Sequence, residues 1–210
     1  MLHNQQNLSS LILAAGFSSR MGNFKPLMSF RGKTLIENTI DSVLSGGAQT
    51  AVVVTGFKSE QLGDFLKQRY GDQILLVKNQ HFEETDMMIS IKTGCHALPP
   101  CDAFFLLPGD MPVICPSTFE KLIKARSPDI PSVVIPTLNG YRKHPPLIDG
   151  RLITDILSFQ GNGGLRQLWR QREELIHTVP VDDEGVTIDL DTRQDYQTCR
   201  QNYEISGGKH

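Results

Sequence analysis

The sequence predicts an α/β fold in three layers, a mostly parallel sheet with helices on both faces. Two observations carry that expectation. Short apolar segments alternate with amphipathic ones at the spacing of βαβ units. The apolar segments are also continuous rather than alternating with polar residues, as in strands covered on both sides.

Taken in order, the first strand is Leu11 to Ala15, long enough to be buried and too short to span a membrane. It runs into a loop holding Gly16, Ser18, Ser19, Arg20, Gly22 and Lys25. Thr34 to Leu44 reads as a helix, with Thr34 and Glu37 as a capping box and Gly46-Gly47 as its end. Ala51 to Val54 is a second strand closed by Thr55-Gly56, Ser59 to Arg69 an amphipathic helix, and Ile74 to Val77 a third strand ending at Asn79. Met87 to Leu98 is helical, Ala103 to Leu107 extended, Pro116 to Ala125 helical and Val133 to Ile135 extended. Asn139 to Pro146 is polar and basic. Helices are expected over Arg151 to Phe159 and Gly164 to Arg172. A late pair of strands, Leu175 to Val181 and Val186 to Asp191, is expected around Asp182-Asp183-Glu184-Gly185, before a terminal helix from Gln194 to Tyr203.

The 210 residues suit one domain, read as 1–204, with 205–210 as a disordered tail that fits native sequence or a cloning remnant. Apolar residues make up 39% and charged residues 21%, the balance of a soluble globular protein. A net charge of −2 offers no broad basic field for nucleic acid or an anionic membrane, so a phosphate ligand must be caught locally. The polar segment from Met1 to Asn7 lacks the order of a signal peptide. Cys95, Cys101, Cys115 and Cys199 lack paired spacing, which argues against zinc and for buried thiols in a reducing cytoplasm.

The loop after the first strand has the chemistry of a polyphosphate cradle. Glycines let the backbone approach a ligand, hydroxyl and N–H groups can face phosphate oxygens, and Arg20 and Lys25 add positive charge. It is not the dinucleotide or Walker loop, because Gly16 and Gly22 are too far apart and Lys25 does not follow the second glycine. A plain Gly/Ser surface loop has the same composition. Asp110, in Pro108-Gly109-Asp110-Met111-Pro112, follows a strand, where ligands of parallel sheets gather and where a carboxylate can hold Mg²⁺. It can equally be a turn aspartate.

From Leu13 to Leu27, Leu-Ala-Ala-Gly-Phe-Ser-Ser-Arg-Met-Gly-Asn-Phe-Lys-Pro-Leu resembles the nucleotide loop of the MobA-like nucleotidyltransferases. Leu-Ala-Ala-Gly is nearer the molybdenum cofactor cytidylyltransferases than the guanylyltransferases, which read Leu-Ala-Gly-Gly. Pro108 to Pro112 resembles the family's Gly-Asp-x-Pro metal motif. Further matches are His144, Gly161 to Arg166 and Ile188 to Tyr196. This chain departs with Lys143 for glycine, Asn162 for aspartate, an extra residue before Ser90, and Arg193-Gln194 for Pro-Glu.

The resemblance implies a Rossmann-like fold of the nucleotide-diphospho-sugar transferase type. It also implies transfer of CMP from CTP to the phosphate of molybdopterin, with release of pyrophosphate. Leu13, Ala14, Ala15, Gly16, Ser18, Ser19, Arg20, Gly22, Lys25, Thr55, Asn79 and Ser90 are then expected at the nucleotide. His144, Gly163 and Arg166 are expected at the acceptor. Arg20, Lys25 and Asp110 would be catalytic, with Mg²⁺ on Asp110 and a second carboxylate. In an extended Val186–Asp191 segment, Asp189 and Asp191 share one face, and Asp189 is taken as the ligand. The remaining readings are a GTP-using enzyme, a sugar- or polyol-phosphate acceptor, and a non-catalytic protein that delivers the cofactor to a molybdoenzyme client. Nucleic acid and membrane are not expected partners, and a cytoplasmic location is.

Overall fold

A computed structural model describes residues 6–17, 24–84, 86–190 and 192–204. The strands of its main sheet are β1 (Leu8–Ala14), β4 (Thr50–Thr55), β5 (Ile74–Lys78), β6 (Ala103–Pro108), β7 (Val133–Leu138), β8 (Tyr141–Arg142), β9 (Leu147–Asp149) and β10 (Ile176–Pro180). A small antiparallel hairpin, β2 (Ser29–Phe30) and β3 (Lys33–Thr34), follows the first loop. The helices are α1 (Leu35–Ser45), α2 (Ser59–Tyr70), α3 (Met87–Ala97), α4 (Pro116–Ala125), α5 (Ile153–Ser158), α6 (Gly164–Gln171) and α7 (Arg193–Glu204).

The sheet runs β5-β4-β1-β6-β9-β7-β10, with β8 paired to β7. β1 pairs in parallel with both β4 and β6, while β9 runs antiparallel between β6 and β7. The chain first winds outward from β1 to β5 and then crosses to β6, so the order reverses between β1 and β6. That reversal opens a crevice at their carboxyl ends.

Alternate residues of the strands feed two cores. Ile12, Val53, Phe105 and Leu107 pack with α1, α2 and α4 on one face. Leu11, Val52, Val54, Phe104 and Leu106 pack with α3, α5 and α6 on the other. This is the three-layer mostly parallel architecture expected. The capping box also forms, with the Glu37 N–H donating to Thr34 Oγ1 at 3.3 Å and the Thr34 N–H to Glu37 Oε2 at 2.7 Å.

Three expectations need correction. β1 begins before Leu11, because Ser9 and Ser10 are buried in the sheet and Ser10 Oγ donates to the Thr50 carbonyl at 3.4 Å. The strand expected at Val186–Asp191 does not form. β10 instead pairs in parallel with β7, and Glu184–Thr187 is a 3₁₀ turn. Asp183 causes the difference: its Oδ1 accepts from the Gly185 N–H at 2.9 Å, and its Oδ2 from the Cys115 N–H at 2.8 Å and Thr118 Oγ1 at 2.7 Å. The segment is thereby tied to the start of α4 rather than to β10. Finally, only Cys95 and Cys199 are buried thiols, with Cys101 half-buried and Cys115 exposed. Burial pushes the Cys95 thiol up to about 12.

Candidate active site

Because β1, β4, β5 and β6 are parallel, Ala14, Thr55, Lys78 and Pro108 close their strands along one edge. The first loop, Gly56, Asn79 and Asp110 therefore leave the sheet side by side. His144 reaches the same edge by another route. β9 is antiparallel to β6, with Leu147 opposite Phe105, and the Leu106 N–H donates to the Pro146 carbonyl at 3.1 Å.

The turn after β6 is fixed from below. The Gly109 N–H donates to the Leu13 carbonyl at 2.9 Å, and Thr39 Oγ1 donates to the Gly109 carbonyl at 3.2 Å. A Cβ on Gly109 would come within 2.9 Å of Ile36 Cδ1 and 3.3 Å of Ala14 Cβ, so the two strand ends approach closely at this glycine. Asp110 projects from this anchored turn.

Lys25 opens a 3₁₀ turn, Lys25–Leu27, whose Pro26 stiffens it and whose Lys25 carbonyl accepts from the Met28 N–H at 3.1 Å. Its ammonium is ion-paired with Asp110 Oδ2 and lies 4.0 Å from Asp189 Oδ1. The three residues come from distant parts of the chain, and one small core gathers them. Phe30 and Leu35 beyond Lys25, Val113 beyond Asp110, and Leu190 beside Asp189 pack together with Cys199 of α7. Tyr196 of α7 also donates its hydroxyl to the Ser29 carbonyl.

A divalent cation fits this place. Asp110 Oδ1 is buried without a hydrogen-bond partner among the described residues, and a carboxylate oxygen can only be satisfied there by a donor or a cation. The described residues contain no cluster of three or more ligating side chains. A metal here would thus rest on one or two carboxylates and on phosphate oxygens, the usual manner of Mg²⁺.

The polar residues expected at the nucleotide form a wall of a different kind. Asn79 Nδ2 donates to Ser90 Oγ at 3.0 Å, the His81 N–H donates to Asn79 Oδ1 at 2.8 Å, and the Asn79 N–H to the Thr55 carbonyl at 2.8 Å. Thr55, Asn79 and Ser90 are all buried. They are brought together, and they lock the ends of β4 and β5 to α3. The ends of β1 and β4 also touch. A Cβ on Gly56 would lie 2.5 Å from the Ala15 carbonyl oxygen and 2.9 Å from Ala15 Cβ. Phe57 packs its ring 5.5 Å from Phe17 and 6.0 Å from Phe24, a contact at each side of the first loop.

Of the residues expected at the acceptor, His144 is exposed. The protein around it lowers its imidazole below the ordinary histidine range, against the Leu106 backbone and the Asp110 carboxylate, which favour the proton. Gly163 and Arg166, both exposed, lie at the start of α6, where Gly164 faces Met88 of α3. Ser18, Ser19, Arg20, Gly22 and Asp191 lie outside the described residues, as does the tail 205–210. Sequence reasoning missed Asp183 and the Lys25–Asp110 pairing. The first gave no signal beyond a turn aspartate, and the second joins residues far apart in the chain.

The MobA-like NTP transferase domain matches residues 10–175, which include the first loop, Asp110, His144 and Arg166. The chain belongs to that family. This MobA-like protein is similar to the molybdenum cofactor cytidylyltransferase of Escherichia coli (strain K12). The two are 25% identical over 198 residues, 93% of this chain and 97% of that one. It is also similar to nicotine blue oxidoreductase of Paenarthrobacter nicotinovorans, at 27% identity over 192 residues, 88% of this chain and 92% of the other. Among solved structures, a nucleotidyl transferase from Methanothermobacter thermautotroptrophicus shares the fold, with a TM-score of 0.80. That likeness has 23% identity and covers 95% of this chain and 99% of that one. No described helix of the MobA-like protein is long and apolar enough to cross a membrane.

Proposed function

We propose that this MobA-like protein transfers CMP from CTP to the phosphate of molybdopterin and releases pyrophosphate. The observation that carries the reading is the meeting of Lys25, Asp110 and Asp189 at the crevice between β1 and β6. A cation and two carboxylates at such a crevice suit a polyphosphate and its metal. The Leu13–Ala14–Ala15–Gly16 segment that closes β1 supports the cytidylyl branch.

The reaction joins an acceptor phosphate oxygen to the α-phosphorus and breaks the bond to the pyrophosphate oxygen. The nucleophile is already anionic, so no side chain has to remove a proton from it. Backbone N–H groups from Ala15 to Gly22, with Arg20 and Lys25, hold the triphosphate in line. Asp110 and Asp189 would hold Mg²⁺, which when bound neutralises charge on the phosphates. His144 offers an imidazole to the acceptor, and Gly163 and Arg166 offer N–H and guanidinium groups to its phosphate.

Pyrophosphate release in the presence of Mg²⁺, each triphosphate and candidate acceptors tests this directly. CTP with molybdopterin should be used at least about ten-fold better than GTP, a difference of ~1.4 kcal/mol that one pocket wall can supply. Ala15→Gly should narrow that preference. Equal use of GTP would move the protein to the guanylyl branch, and activity only with sugar or polyol phosphates would replace the acceptor. The likeness to nicotine blue oxidoreductase favours a second reading, in which electrons pass between a redox-active dye and a two-electron donor or acceptor supplied from solution, with no triphosphate consumed and no pyrophosphate released. A cofactor-delivery protein would bind molybdopterin and release none either.

A further inference from the structure

Lys25 is 8% exposed, and its ammonium stands against Asp110 Oδ2 and 4.0 Å from Asp189 Oδ1. It thus lies on the two carboxylates that the proposed function assigns to the metal. A dication on the same oxygens would face that ammonium at close range, and like charges so near exclude one another. The Lys25 backbone is fixed by its 3₁₀ turn, but four methylenes let its head group swing while the turn stays put. The other oxygen of Asp110, Oδ1, is buried and has no partner among the described residues, so the ammonium satisfies only half of that carboxylate.

We propose that Lys25 holds the metal position between Asp110 and Asp189 as an internal cation, and that an arriving triphosphate draws it off and so opens the site to Mg²⁺. The inference rests on the metal reading above and adds an order to it. Without nucleotide Lys25 offsets the repulsion between the two carboxylates, and afterwards it binds the phosphates. In either state a cation stands against the two carboxylates, Lys25 without nucleotide and the metal once the triphosphate is bound.

The test is Mn²⁺ binding without nucleotide, read from the loss of the free-ion electron paramagnetic resonance signal. Lys25→Met should bind Mn²⁺ about ten-fold or more tightly than the unaltered protein, on the scale by which a neighbouring charge shifts an equilibrium. Lys25→Gln should do the same, and Mn²⁺ should raise the melting temperature of both variants more than that of the unaltered protein. Lys25→Arg, which keeps the charge, should bind as weakly as the unaltered protein; a merely structural loss would not separate it from Lys25→Met. Adding Asp110→Asn to Lys25→Met should abolish the gain. Equal affinity in the unaltered and Lys25→Met proteins, lost in both on Asp110→Asn, overturns the proposal and leaves the metal reading standing. Binding that ignores Asp110→Asn, or none in any variant, overturns the metal reading itself.

Discussion

Lys25 carries its charge where little of its surface reaches solvent, and a charge so enclosed depends on its partners. Asp110 and Asp189 meet it unequally: the Asp110 side chain is 20% exposed and that of Asp189 is 65% exposed. The two carboxylates should therefore respond differently to neutralisation. Asp110→Asn is expected to lower turnover by on the order of 10²-fold or more, because it removes a fixed charge at the reacting phosphates. Asp189→Asn should chiefly raise the Mg²⁺ concentration needed for half-maximal rate. Steady-state kinetics across a Mg²⁺ series separates the two, and identical profiles would remove the distinction. At this scale the sequence placed Lys25 after the first strand and Asp110 after the strand that ends at Pro108, which is where they stand. It was illegible wherever a residue acts by reaching across the chain. Asp183 looks like any acidic turn residue until Cys115 and Thr118 are seen to donate to it.

The elements repeat that division. Buried strands and capped helices announce themselves because each is decided by neighbours in sequence, and α4 begins at Pro116 and ends at Ala125 as its pattern indicates. β9 gave no such signal, being three residues long, preceded by Pro145-Pro146 and ended by the buried charge of Asp149. The segment beyond β10 was misread because its alternation is real but its partner is not a strand. Ile188 and Leu190 do turn toward one small core while Asp189 is exposed, yet they pack on Phe30, Leu35, Val113 and α7. Asp183 decides where that segment lies. Asp183→Ala removes hydrogen bonds to the start of α4 and to the 3₁₀ turn, a loss of about 2 kcal/mol on the scale of strong helix caps. The melting temperature should fall by about 4–8 °C, on the ~2–4 °C per kcal/mol of a chain this size. The Mg²⁺ requirement should rise as well, since Asp189 is six residues further along the same segment. A thermal melt paired with the Mg²⁺ series checks both.

In the whole molecule, the spacing between layers is set at a few close contacts. At Gly94 a Cβ would come within 2.1 Å of Leu11 Cδ1 and 2.9 Å of Val54 Cγ2, which holds α3 tightly on the sheet. Gly94→Ala should cost about 1–3 kcal/mol by overpacking, measurable by urea denaturation. The opposite edge of the sheet from the crevice carries the heaviest polar construction. There the fully buried Asp149, across from Ala103, accepts from Arg126 Nη2 at 2.7 Å and from Arg151 Nε and Nη2 at 2.8 and 2.9 Å. Burial alone would raise its carboxyl, but the hydrogen bonds from Arg151 and Arg126 outweigh that and hold it below the ordinary range. Asp149→Ala leaves Arg126 buried without its partner and should cost about 3–5 kcal/mol.

Because the folded Asp149 releases its proton more readily than the unfolded one, its contribution is complete above the unfolded value of about 4. It is lost as the pH falls through the folded value. The protein thus keeps its acid fuse at the far end of the sheet from its chemistry. Acidified into that range, it should unfold as Asp149 takes up its proton, and the far-ultraviolet signal should fall at a higher pH in an Arg151→Ala variant, which lacks the guanidinium that holds the carboxyl down.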